Sequence, residues 1–94
     1  MTMPLLDNEV LRTFVAIAEC GTFTAAAKVV HRTPSALSMQ IKQLEKTLGK
    51  SLFVREPRQV RLTNDGEVLL AYSRRLLRLN QEAVEHFIAP ALEG

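Results

Sequence analysis

The sequence predicts a mainly α-helical domain: four helices, the last much longer than the others, with one short two-stranded hairpin before it. Three observations carry this expectation. Apolar residues recur at helical spacing over most of the chain. Threonines that suit helix starts and glycines that suit helix ends fall between the periodic segments. Only Leu52-Phe53-Val54-Arg55 and Val60-Arg61-Leu62 read as strands, and Glu56-Pro57-Arg58-Gln59 between them suits a turn.

Residues 1–6 read as a loose lead-in, with Pro4 barring regular structure. Asp7 or Asn8 caps a first helix that starts near Glu9 and presents Val10, Leu11, Phe14, Val15 and Ala18 on one face; Gly21 stops it. Thr22 or Thr24 caps a short second helix through Ala25, Ala26, Ala27, Val29 and Val30. Its alanines let a neighbouring helix approach closely, as a tight helix–turn–helix requires. His31, Arg32 and Thr33 form the turn. Thr33-Pro34 then starts a third helix, because threonine caps and proline at the first helical position gives up no hydrogen bond. Leu37, Ile41, Leu44 and Leu48 make its narrow apolar stripe, and Gly49 ends it. Ser35, Met39, Lys42, Gln43 and Lys46 fall on the opposite face, with Ser38 at its edge.

Thr63 caps the last helix, Asp65 and Glu67 sit where its positive end favours acids, and Pro90 is expected to end it. Roughly 26 residues of helix run about 39 Å, too long for so small a domain to cover. Leu69, Tyr72, Leu76, Leu79, Ala83 and Phe87 follow a heptad-like spacing, and Leu70, Leu77, Val84 and Ile88 widen the stripe. So broad an apolar surface predicts a partner helix. The order of elements is that of a winged helix–turn–helix over residues 1–62, followed by a dimerisation helix over residues 63–94.

Composition narrows the function. The chain has 94 residues, 47% of them hydrophobic and 23% charged, enough for one small core but not for a large enzyme cleft. The single Cys20 excludes an internal disulfide. No signal-peptide pattern is visible, and no stretch approaches the roughly 20 apolar residues of a membrane span, so a cytoplasmic location is expected. The formal net charge of +2 hides an asymmetry. Between residues 21 and 62, Lys28, Arg32, Lys42, Lys46, Lys50, Arg55, Arg58 and Arg61 face only Glu45 and Glu56, whereas both flanking segments are net acidic. Clustered positive charge suits a polyphosphate partner; a plain solvated basic face is the alternative.

Five segments in order carry a resemblance. They are Leu11-Arg12-Thr13-Phe14-Val15-Ala16, Gly21-Thr22-Phe23-Thr24-Ala25-Ala26-Ala27, Ser35-Ala36-Leu37-Ser38-Met39-Gln40-Ile41-Lys42-Gln43-Leu44-Glu45, Leu48-Gly49 with Leu52-Phe53-Val54-Arg55, and Leu62-Thr63-Asn64-Asp65-Gly66. Together they resemble the N-terminal DNA-binding domain of LysR-type transcriptional regulators, from about residue 7 to residue 88. The resemblance implies a bacterial protein that dimerises through antiparallel linker helices and binds a pseudo-palindromic operator in double-stranded DNA. It also implies a further domain, absent from this chain, that binds a small-molecule effector, and full-length members that often pair into tetramers.

The third helix is expected in the major groove. Ser35 and Ser38 are placed to bond phosphate or a base edge, and Ser38 matches the serine that follows Ala-Leu in the family. Lys42 and Lys46 are phosphate candidates, while Gln40 matches a family glutamine and lies nearer the apolar stripe. Two departures stand out: Pro34-Ser35 where many members have Gln-Pro, and Met39 where many have arginine. Methionine offers only apolar contact, for instance with a thymine methyl, so base preference does not carry over. Arg55 matches the family's wing arginine and is expected, with Arg58 and Arg61, to enter the minor groove or hold phosphates. Thr22, Thr24 and Thr33 at helix starts either receive a phosphate or simply cap, and Arg32 in the turn is a further phosphate candidate.

The remaining reactive side chains read as ordinary. His31 and His86 have no partners suggesting a metal, Cys20 beside an apolar face reads as a small hydrophobe, and Tyr72 packs on the dimer stripe. No metal, cofactor or catalytic residue is expected, since the chain has no Gly-rich phosphate loop, no Cys/His/Asp cluster and no carboxylate pair at a cleft-forming spacing. The competing reading is a winged-helix module that binds protein instead of DNA; the basic middle segment, the open serine face and the arginine-bearing hairpin argue against it.

Overall fold

The computed structural model describes the backbone of residues 2–93 and the side chains of residues 2–88. Helices α1 (Asn8–Cys20), α2 (Phe23–Val29) and α3 (Pro34–Leu48) are followed by strands β1 (Phe53–Arg55) and β2 (Val60–Leu62) and by helix α4 (Asn64–Glu93). This is the expected winged helix–turn–helix order.

Local chemistry sets the boundaries. Asp7 accepts the Glu9 N–H at 2.8 Å and so caps α1 in preference to Asn8. Gly21 closes α1 at φ 80°, a left-handed conformation that glycine adopts without steric penalty. Thr22 accepts the Ala25 N–H at 3.0 Å and caps α2, which leaves Thr24 inside the first turn of that helix. Thr33 does the same for α3, accepting the Ala36 N–H at 3.1 Å with Pro34 behind it.

The core forms where α1 meets α2, α3 and α4. Leu11, Phe14 and Ile17 of α1 are fully buried against Leu37, Ile41 and Leu44 of α3 and against Leu52, Phe53, Leu69 and Leu70. Ala26 and Ala27 are also buried, and their small side chains let α2 sit close to its neighbours. Phe53 stacks obliquely on Phe14, with ring centroids 5.2 Å apart, and meets Phe23 edge-on at 6.0 Å.

Two polar ties orient the hairpin, or wing. The strands pair antiparallel with Val54 opposite Arg61. Val60 N–H donates to the Gly21 carbonyl at 2.9 Å, fixing β2 to the α1–α2 turn. The Glu45 carboxylate accepts the Leu52 N–H at 2.8 Å, fixing the approach to β1 from α3. These two bonds tie the wing to the α1–α2 turn and to α3.

Helix α4 begins with Thr63, whose hydroxyl donates to the Ser51 carbonyl at 2.6 Å and accepts the Gly66 N–H at 3.0 Å. Gly66 is buried against the Leu52 carbonyl, so close that any Cβ there would collide with that oxygen. Ser73 is fully buried where α4 crosses the core, and its hydroxyl has no hydrogen-bond partner among the described residues. Two expectations need correction. Pro90 does not end α4, which continues to Glu93: the φ that proline fixes is itself helical, so the helix can pass through it at the cost of one N–H donor and crowding against the preceding turn. Leu69 is only 7% exposed and packs in the core of its own domain, leaving it little surface for a partner. A heptad pattern read from sequence does not distinguish the turns that cross the core from those beyond it.

Candidate nucleic-acid interface

The exposed face of α3 runs from Pro34 to Lys46 and is bounded by the wing. Pro34, Ser35, Met39, Lys42 and Lys46 are exposed, while Ser38 is half-buried at the edge nearest the hairpin. Met39 is 73% exposed and stands between the serines and the lysines. Lys42 and Lys46 have no ionic partner among the described residues. Glu45, the acid on this helix, is turned away to the Leu52 N–H. The face is therefore cationic and rich in short polar groups, so a duplex backbone can approach closely.

Gln40 and Gln43 leave this face. Both line a groove with Leu5, Leu6, Val10, Leu44 and Thr47 on the far side of α3, and the Gln40 Oε1 is buried there without a hydrogen-bond partner. This is the placement that the nearness of Gln40 to the apolar stripe predicts; Gln43, expected on the polar face, instead borders the groove, because it lies about 80° around from Ser35.

The four arginines of the α2–α3 turn and the hairpin differ in what holds them. Arg55 donates through Nη2 to the Ser38 Oγ at 3.1 Å, and its guanidinium lies 4.4 Å from the centre of the Phe23 ring. Arg61 is paired with Glu56 through Nε at 2.7 Å, back along the hairpin. Arg32 approaches Glu9 at 3.7 Å, an exposed contact that salt screens readily. Arg58, at the hairpin tip, has no ionic or hydrogen-bonded partner among the described residues. All three wing arginines are exposed, and of them only Arg58 has no side-chain partner among the described residues.

Thr22 and Thr33 use their hydroxyl oxygens as helix caps. Each hydroxyl still has its own hydrogen to give, so capping and phosphate contact are compatible at both positions. Thr24 and Arg55 line one shallow cleft with Phe23 and the hairpin residues Glu56–Val60. Sequence reasoning missed Phe23, Glu45 and Glu56, which orient the site from behind. Glu56 had a usable signal, because it lies only five positions from Arg61 across a short turn; the contacts of Phe23 and Glu45 depend on how distant segments pack.

On α4, the expected stripe opens to solvent beyond the core. Tyr72 is 52% exposed, Leu76 41%, Leu79 63% and Phe87 80%; Ala83 is also exposed. Val68, Val84 and Ile88 extend the apolar surface. Among the described residues, no three His, Cys, Asp or Glu side chains are placed to hold a metal, and no helix is long and apolar enough to cross a membrane.

Helix–turn–helix, arginine-tipped wing and long protruding helix define a winged helix–turn–helix domain of the kind bacterial regulators use. Residues 9–67 match the family described as bacterial regulatory helix-turn-helix proteins of the lysR family, and the chain belongs to that family. It is 45% identical over 89 residues to the HTH-type transcriptional regulator PecT of Dickeya dadantii (strain 3937), an alignment covering 95% of this chain and 28% of PecT. The chain thus spans less than a third of the length of that relative. Among solved structures, it is similar to the CbnR DNA-binding domain in complex with DNA, with TM-score 0.85 and 34% identity over 92% of this chain and 99% of that one. The BenM DNA-binding domain in complex with catB site 1 DNA superposes with TM-score 0.84 and 35% identity, covering 89% of this chain and 96% of that one.

Proposed function

We propose that this chain is the DNA-reading part of a LysR-type transcriptional regulator and binds double-stranded DNA sequence-specifically as a homodimer. One observation carries the reading: α3 presents Ser35, Met39, Lys42 and Lys46 to solvent as a cationic face, with Arg58 free at the tip of the adjacent wing. Helix α3 enters the major groove, where Ser35, Ser38 and Met39 meet base edges or phosphates and Lys42 and Lys46 neutralise the backbone. Arg58 enters the adjacent minor groove. Thr22, Thr33, Pro34 and Arg32 border the same surface and hold flanking phosphates. Two copies join through the Tyr72, Leu76, Leu79, Ala83 and Phe87 stripe, which places two α3 helices on successive turns of one duplex.

The DNA complexes of the CbnR and BenM domains support this reading. No observation favours a protein-binding module. The complete protein, several times longer than this chain if it follows PecT, acts in the cytoplasm as a non-enzymatic regulator; a small-molecule effector binds its other domain, and its dimers pair into tetramers. The test is fluorescence anisotropy with a labelled duplex across a salt series. Binding that falls steeply with added salt is expected, since each neutralised phosphate contributes a slope of about −0.9 in log K against log salt. Binding that is absent, or indifferent to salt, overturns the proposal.

A further inference from the structure

Arg55 is the wing residue most strongly suggested as a groove probe, yet the structure holds it elsewhere. Its guanidinium carbon lies over the Phe23 ring of α2, 4.4 Å from the ring centre, and the guanidinium donates to Ser38 of α3 at 3.1 Å. Both contacts draw it toward the base of the wing and away from the tip, where Arg58 stands. Cation–π stacking and a hydrogen bond from a charged donor each favour this placement, and a planar guanidinium can make both at once.

The consequence falls on Ser38. A serine hydroxyl has two acceptor sites and a single hydrogen. Arg55 occupies one acceptor site, and no group among the described residues receives the hydroxyl hydrogen. Serines within helices commonly return that hydrogen to the carbonyl four residues back, which removes it from the surface; among the described residues Ser38 makes no such bond. A hydroxyl that accepts from a cation is also polarised into a stronger donor.

We propose that Arg55 is a positioning residue: it presents the Ser38 hydroxyl as a hydrogen-bond donor to an acceptor on the duplex, and it does not itself read the minor groove. The inference rests on the DNA-binding reading above and assigns how one side chain of that surface is set. Three consequences distinguish it from a direct arginine–DNA contact. The effects of Arg55 and Ser38 are coupled. The loss of Arg55 leaves the salt slope unchanged. Lysine does not replace arginine, because an ammonium has neither the flat face nor the fork.

The test uses a duplex recovered by the wild-type domain from a random-sequence pool. Arg55→Ala and Ser38→Ala each weaken binding by about tenfold, the scale of one charge-assisted hydrogen bond, and the double variant weakens it by about the same factor. Arg55→Lys matches Arg55→Ala, and both keep the wild-type salt slope. Phe23→Leu, which leaves the charge at position 55 intact, reproduces part of the loss. In the free domain, the Arg55 side-chain protons show upfield ring-current shifts by NMR that vanish in Phe23→Leu. Overturning results are a double variant near a hundredfold weaker, a salt slope reduced by about one unit in Arg55→Ala, or rescue by lysine. Unshifted Arg55 protons in the free domain overturn the placement without reference to DNA. If wild-type domain recovers no duplex, the DNA-binding reading fails and the proposal fails with it, whereas a retained duplex with an altered slope overturns the proposal alone.

Discussion

Leu79→Glu tests the partner helix most economically. Leu79 is 63% exposed on α4, beyond the turns that cross the core, so its replacement leaves the domain's own packing intact. Complete burial of a leucine side chain is worth about 2 kcal/mol, so covering the exposed part of Leu79 is worth about 1.3 kcal/mol per protomer. A two-fold interface contains the residue twice, giving about 2.5 kcal/mol, or roughly seventyfold in the dimer dissociation constant. Glutamate adds the desolvation of two carboxylates, so the total weakening reaches at least about a hundredfold. Sedimentation velocity over a concentration series reads the change, and circular dichroism melting confirms that the protomer remains folded. An unchanged dissociation constant with an intact fold refutes the assignment of this stripe to the dimer.

Three further outcomes follow from the packing and the wing. Gly66→Ala drives a Cβ into the Leu52 carbonyl and overpacks the α4–β1 junction; a loss of about 1–3 kcal/mol, read as a melting temperature lower by roughly 5–15 °C, is expected, and an unchanged midpoint contradicts the close approach. Ser73→Ala removes a buried hydroxyl that has no partner, so the domain gains about 1 kcal/mol and melts roughly 5 °C higher; a lower midpoint shows that the hydroxyl is bonded. Arg58→Ala removes the free wing cation and reduces the salt slope of DNA binding by about one unit per wing, whereas Arg61→Ala, already neutralised by Glu56, has a smaller effect; equal slopes for the two variants contradict the pairing.

The boundaries of the first three helices were legible because they depend on neighbours in sequence. Asp7, Thr22, Thr33-Pro34, Gly21 and Gly49 act through contacts a few residues away, which spacing alone reveals. The polar face of α3 was legible for the same reason. What escaped depends on distant segments meeting. Arg55 and Ser38 are 17 positions apart, and nothing local says that Phe23 lies beneath the guanidinium. Gly66 reads in sequence as a weak helix former; only the Leu52 carbonyl above it explains why a side chain is excluded. Leu69 and Leu79 look equivalent on a heptad wheel, yet one faces the protomer's core and the other faces solvent, because α4 leaves the domain between them. Pro90 shows that a strong local stop signal need not end a helix, since the φ that proline fixes is itself helical.

Selection of bound duplexes from a random-sequence pool, followed by sequencing, addresses the central claim most directly. Paired α3 helices read an interrupted palindrome whose arms lie a whole number of helical turns apart, about 10 base pairs per turn. Enrichment of single unpaired sites, or of arms separated by half-turns, contradicts a reader built from two copies joined along α4.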